Sequence, residues 1–179
     1  MKKAIFVILV VSAIILFAGC VEHEKSTEFK YGVKYRALVV KVIDGDTVDV
    51  LINGEIKRIR LLGVDAPEKS PKRNKPNEYD AITNLSCLSE WGWRAKNFTF
   101  KMLHNKNVYI EFDEIAGLKG YYRRYLAYIY LENGTDFNEL LIKNGLARVY
   151  KEGKFKKERH YILLEKQAIR NKVGLWKCS

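Results

Sequence analysis

The chain has 179 residues, 47% of them hydrophobic and 12% aromatic, with a formal net charge of +11; this describes one compact domain with a tail rather than a multidomain protein. His23, His104 and His160 stand far apart and no cysteine has metal-site spacing, which argues against a zinc centre. The basic excess attracts polyanions and points to nucleic acid or an anionic surface, without choosing between them.

Met1-Lys2-Lys3, an apolar run from Ala4 to Ala18, and Gly19-Cys20 form the pattern of an export signal. Residues 1–19 are therefore set apart from the folded domain. Phe17-Ala18-Gly19-Cys20 resembles the lipobox of prokaryotic lipoproteins, in which Cys20 is lipidated and becomes the first mature residue; Phe17 stands where an aliphatic residue is usual. The other reading is an uncleaved membrane anchor, for which the run is short. Either way, the folded part is expected outside the cytoplasmic membrane and tethered to it. Removing the signal takes Lys2 and Lys3 but no acid, so 30 basic residues face 21 acidic ones and the charge is +9. Cys87 and Cys178 then remain in a compartment where disulfides persist. A bridge would pin the C-terminal segment to the body; two unpaired thiols are the alternative.

Residues 20–31 read as a tether, being polar, charged and aperiodic, and residues 32–179 as the domain. β-Branched and aromatic residues predict strands at Tyr35–Ile43 and Val48–Ile52, with Asn53-Gly54 turning into a third at Ile56–Val64. Lys69–Asp80 carries four basic residues and two prolines with no apolar face, the composition of an exposed, mobile loop. Trp91, Ala95, Phe98 and Met102 then line one face of a helix over Leu88–Leu103. Strands follow at Val108–Phe112 and Tyr122–Leu131. After the Asn133-Gly134 turn, Asp136 caps a helix that runs through Lys143 and stops at Gly145. A terminal helix over Glu152–Lys172 turns Tyr161, Leu164 and Ala168 inward, and Trp176 closes the core behind it. Short strands in this order, without a βαβ rhythm, predict a β-barrel with helices (α+β): a five-stranded oligonucleotide-binding fold barrel with three helices.

By itself, Asp44-Gly45-Asp46 is a tight turn. Strand ends that set Asp46 beside Asp65 would put two carboxylates in one pocket, where their repulsion is costly without a cation. Oxygen-only donors suit calcium or a similarly hard ion, completed by a backbone carbonyl and waters. Pro67 fixes the chain before Glu68, whose carboxylate could then be held to activate water. The planar forks of Arg60 and Arg124, both on predicted strands, suit phosphate oxygens. For any arbitrary strand arginine, the alternative is a surface charge with a packed stem.

Together, Val42–Val48, Leu61–Glu68, Tyr122–Tyr130 and Gly145-Leu146-Ala147 resemble the thermonuclease (staphylococcal nuclease-like) family, across nearly all of the chain from around Tyr35 to Trp176. The resemblance implies an oligonucleotide-binding barrel and a calcium-dependent endonuclease acting on DNA, RNA or both and leaving 3′-phosphates. It implies calcium bound by Asp46, Asp65 and the backbone carbonyl of Ala66, which stands where the family often has Thr. It also implies a catalytic trio of Arg60, Glu68 and Arg124, with Tyr122 near the bound nucleotide. Tyr122 packed in the core is the alternative. Arg123 replaces a glycine usual in the family, so the turn entering that strand is expected to differ. Tyr150 is followed by Lys151, leaving half of an aromatic pair set against a base. No protein partner is implied and a monomer is expected.

Two rivals remain. One is a catalytically inactive nucleic-acid-binding barrel tethered to the membrane, against which the retention of all five charged positions argues. The other is a lipoprotein whose basic surface holds the anionic membrane or wall, without any metal dependence.

Overall fold

The computed structural model describes residues 29–178. The export signal at 1–19, the lipidation position Cys20 and the tether as far as residue 28 lie outside the described residues. Strands β1 (Lys34–Val42), β2 (Thr47–Ile52) and β3 (Glu55–Leu61) form an antiparallel meander. In β1, Ala37, Val39 and Val42 are buried while Lys34, Arg36 and Lys41 face out, as a pleated strand with one face on the core requires. Asn53 and Gly54 join β2 to β3 with φ of 52° and 82°, the left-handed pair whose twist matches a two-residue hairpin.

The β1–β2 register shifts between Val39 and Lys41, and such a bulge bends a strand. The first half of β1 therefore pairs with β5 (Asn107–Phe112) and the second half with β2. β5 pairs antiparallel with β6 (Tyr125–Leu131), which runs parallel to β3 and closes the barrel. The expected five-stranded barrel with three helices is what the chain forms.

β6 starts later than its aromatic run predicts. Arg123 lies at φ 58°, where a non-glycine side chain is crowded. Its N–H donates to the Gly120 carbonyl, and the Gly120 N–H donates to that of Arg124. The segment is thus a turn, and Arg124 precedes the strand rather than lying on it.

Helix α1 (Leu85–Leu103) begins before the expected Leu88, because the Asn84 side chain accepts the Cys87 N–H and caps it. Helix α2 (Phe137–Lys143) is capped as expected by Asp136, which accepts the Glu139 N–H. Helix α3 (Glu158–Arg170) is shorter than predicted; the chain before it turns and buries Phe155. A two-residue ladder, β4 (Val64–Asp65) with β7 (Arg148–Val149), was not expected. Among the described residues no helix is long and apolar enough to cross a membrane.

Phe29 packs its ring against Tyr35, Phe112 and Tyr125, so the packed body begins inside the stretch assigned to the tether. Lys69–Asp80 is also more ordered than an exposed, mobile loop. Pro71–Arg73 form a 3₁₀ turn, while Asn74 and Tyr79 are 5% and 2% exposed. Tyr79 joins Ile82, Leu88, Ala168, Leu175 and Trp176 in a second apolar cluster. The charged residues Lys72, Arg73, Lys75 and Asp80 face outward, as do both prolines and Asn77.

Cys87 and Cys178 are bridged, with Cα atoms 5.8 Å apart, tying the first turn of α1 to the C-terminal 3₁₀ turn Gly174–Cys178. The bridge closes a long loop, so Cys178→Ser is expected to cost ~2–5 kcal/mol of stability. Thermal unfolding with and without reductant checks this; identical midpoints would mean that the bridge adds nothing.

Candidate active site

The turn Asp44-Gly45-Asp46 between β1 and β2 is pressed from two sides. A methyl group built on Gly45 would lie 2.7 Å from the Ala66 Cβ and 2.8 Å from the Ala95 Cβ of α1. The buried Thr99 hydroxyl donates to the Gly45 carbonyl at 2.7 Å. Asp46, only 1% exposed, accepts the Ala66 N–H at 2.7 Å and the Thr47 hydroxyl at 3.1 Å.

Thr47 faces Arg60 across the β2–β3 ladder, which brings the guanidinium to Asp46. Arg60 pairs with both Asp46 and Asp65, the latter at 2.5 Å. Asp65 faces Arg148 across the β4–β7 ladder, and Arg148 lies 2.9 Å from Asp65 and 2.8 Å from Glu152. Three carboxylates and two guanidiniums thus alternate along the cleft, in the order Asp46, Arg60, Asp65, Arg148 and Glu152.

Burial pushes the Asp46 carboxyl up to about 7; Arg60 opposes the rise, while Asp44 and Asp65 add to it. Burial also disfavours charge on Arg60, but Asp46 and Asp65 outweigh it and hold the guanidinium above its ordinary range. Acids crowded this closely are suited to a cation, and carboxylate oxygens select a hard one. Among the described residues no three acidic, histidine or cysteine side chains make a complete metal cage. Asp46 and Asp65 would be the protein's carboxylate donors, with backbone oxygen and water completing the shell. Ala66, expected to offer its carbonyl, has its N–H engaged on Asp46.

Glu68 follows Pro67 out of β4, and its carboxylate is half-buried with Arg73 at 3.1 Å. Arg124 lies with its guanidinium 5.5 Å from the Tyr122 ring centre. Tyr122 is 75% exposed, which overturns the alternative of core packing. Tyr121 beside it is 94% exposed and meets it edge to face.

Asp46, Arg60, Asp65, Ala66, Glu68, Tyr122 and Arg124 all line one cleft of about 990 Å³. Sequence reasoning gave no role to Arg148, Tyr121 or Asn74. A two-residue strand and two turns carry no periodicity that would single them out. The arrangement joins acids that can hold a cation, guanidiniums shaped for a phosphate and a carboxylate that can accept a proton.

The family model described as staphylococcal nuclease homologue matches residues 58–178. The chain is 49% identical over 153 residues to an uncharacterized protein of Methanocaldococcus jannaschii, covering 81% of this chain and 73% of that one. It is 38% identical to the thermonuclease of Staphylococcus intermedius, over 78% of this chain and 74% of the relative. With the thermonuclease of Staphylococcus hyicus the identity is 35%, over 77% and 73%.

Proposed function

Because the chain belongs to the staphylococcal nuclease homologue family, we propose that it is a calcium-dependent endonuclease hydrolysing phosphodiester bonds of DNA, RNA or both. The observation that carries this reading is the convergence of Asp46, Arg60, Asp65, Glu68 and Arg124 on one cleft. Asp46 and Asp65, with the Ala66 carbonyl and water, would hold calcium. When bound, calcium supplies charge stabilisation at a five-coordinate phosphorus.

The remaining steps belong to side chains. Glu68 takes a proton from water as the water oxygen bonds to phosphorus and the P–O5′ bond breaks. A 3′-phosphate and a 5′-oxygen result, the latter protonated from solvent. Arg60 donates to phosphate oxygens in both ground and transition states, and Arg124 acts mainly on the charge that develops between them. Glu68 must leave Arg73 to act as the base; that pair is largely exposed and holds it weakly.

In this proposal the enzyme acts outside the cytoplasmic membrane as a monomer, tethered by a lipid on Cys20. The Cys87–Cys178 bridge supports an oxidising compartment. Plasmid DNA and RNA incubated with the protein, in calcium or in chelator, test the activity. Cutting in calcium alone, with 3′-phosphate ends, is expected. A binding barrel would retard the DNA without cutting it in either condition.

The raised Asp46 carboxyl sets a pH dependence. Calcium requires the carboxylate, so its binding should weaken as pH falls through about 7. For the calcium-free fold the sign is opposite: the protonated form is the favoured one. Its stabilising contribution is complete below the ordinary 3.8 and is lost as pH rises to about 7. Added calcium should therefore raise the thermal midpoint more at pH 8 than at pH 5.5, a difference that scanning fluorimetry reads. An equal rise at both would contradict it.

A further inference from the structure

Glu68 needs a fixed direction to serve as a base, yet its carboxylate has only a largely exposed contact with Arg73. The constraint comes from the backbone. Asn74, 5% exposed, accepts the Glu68 N–H through Oδ1 at 2.8 Å. Its Nδ2 donates to the Glu68 carbonyl at 2.8 Å and to the Ser70 carbonyl at 3.2 Å. One buried amide thus satisfies both backbone groups of Glu68 and closes the loop on itself.

The other side of the same peptide is closed by α1. A methyl group built on Gly92 would lie 2.5 Å from the Pro67 carbonyl oxygen and 2.7 Å from that of Glu68. Glu68 is therefore held between the Asn74 amide and a helix backbone with no space for a Cβ. The segment carrying Asn74 is anchored in turn by Tyr79 and Ile82 in the second apolar cluster. Asn74 is not among the residues lining the cleft, so it meets the substrate only through Glu68.

We propose that Asn74 is a positioning residue that aims the Glu68 carboxylate into the cleft. The inference rests on Glu68 acting as the base. Displacing a reacting group by about 1 Å can cost ~10²-fold, and the exposed Arg73 cannot restore the direction.

The test is a double-mutant cycle on a labelled oligonucleotide in calcium, with kcat and KM measured separately and folding followed by circular dichroism. Asn74→Ala is expected to lower kcat ~10- to 100-fold while KM hardly moves. In the Glu68→Gln background the same change should remove almost nothing further. Asn74→Asp keeps the acceptor for the Glu68 N–H but sets a carboxylate oxygen against the Glu68 and Ser70 carbonyls, so it should lower kcat at least as far as Asn74→Ala. Gly92→Ala displaces the same peptide from the helix side and should reproduce the kcat loss, which keeps the proposal open to refutation where Asn74→Ala does not fold. Unchanged kcat in folded Asn74 variants, or an equal loss in both backgrounds, would overturn it. A fully active Glu68→Gln protein would instead remove the base, and the positioning role with it.

Discussion

Glu68→Gln is expected to lower kcat by ~10²- to 10⁴-fold, the range for removing a general base, while leaving the fold intact. The carboxylate is half-buried and its ion pair with Arg73 is largely exposed, so an amide of the same size costs little stability. KM should change little, because the carboxylate takes a proton rather than holding the phosphate. Steady-state cleavage of a short labelled oligonucleotide reads both constants. Turnover equal to that of the wild type would reject Glu68 as the base.

Arg60→Lys should lower kcat/KM by ~10²- to 10³-fold, the usual loss when an electrostatic donor to the transition state is removed. Lysine keeps the charge but loses the fork that reaches two oxygens at once. Arg60 is engaged with Asp46 and Asp65 and its side chain is only 18% exposed. Arg60→Ala should therefore also destabilise the calcium-free protein, by ~3–5 kcal/mol, since buried acids lose their partner. Calcium should return part of that stability. Urea unfolding with and without calcium separates the two effects; an Arg60→Ala protein as stable as the wild type in chelator would contradict the pairing.

The barrel was legible where structure is local. The alternation in β1, the Asn53-Gly54 pair and the Asp136 cap each fix their own neighbourhood, and each element formed. The parallel closure of β6 on β3 pairs distant segments, and nothing within either strand announces it. The β4–β7 ladder is too short to carry a pattern, so Arg148 opposite Asp65 went unseen. In Lys69–Asp80 the charged residues suggested a solvated loop, while the two residues that tie it down, Asn74 and Tyr79, are isolated among polar neighbours.

The candidate site was legible as chemistry and less so as placement. Asp46, Asp65 and Glu68 were picked out by residue type and motif, and the β1–β2 turn, β4 and the segment leaving β4 bring them to one cleft. Arg124 reaches the same cleft from a turn instead of a strand, because the left-handed Arg123 ends the extended run. That turn also turns Tyr121 and Tyr122 outward, where strand alternation would have buried one of them.

The most direct measurement is a calcium titration of the Glu68→Gln protein by calorimetry, with and without a short oligodeoxynucleotide. One ion should bind per chain, more tightly when the oligonucleotide is present, and Asp46→Asn in the same background should abolish the binding. Absent binding, or binding indifferent to both the oligonucleotide and Asp46, would mean that these acids and arginines do not gather a phosphate around a cation.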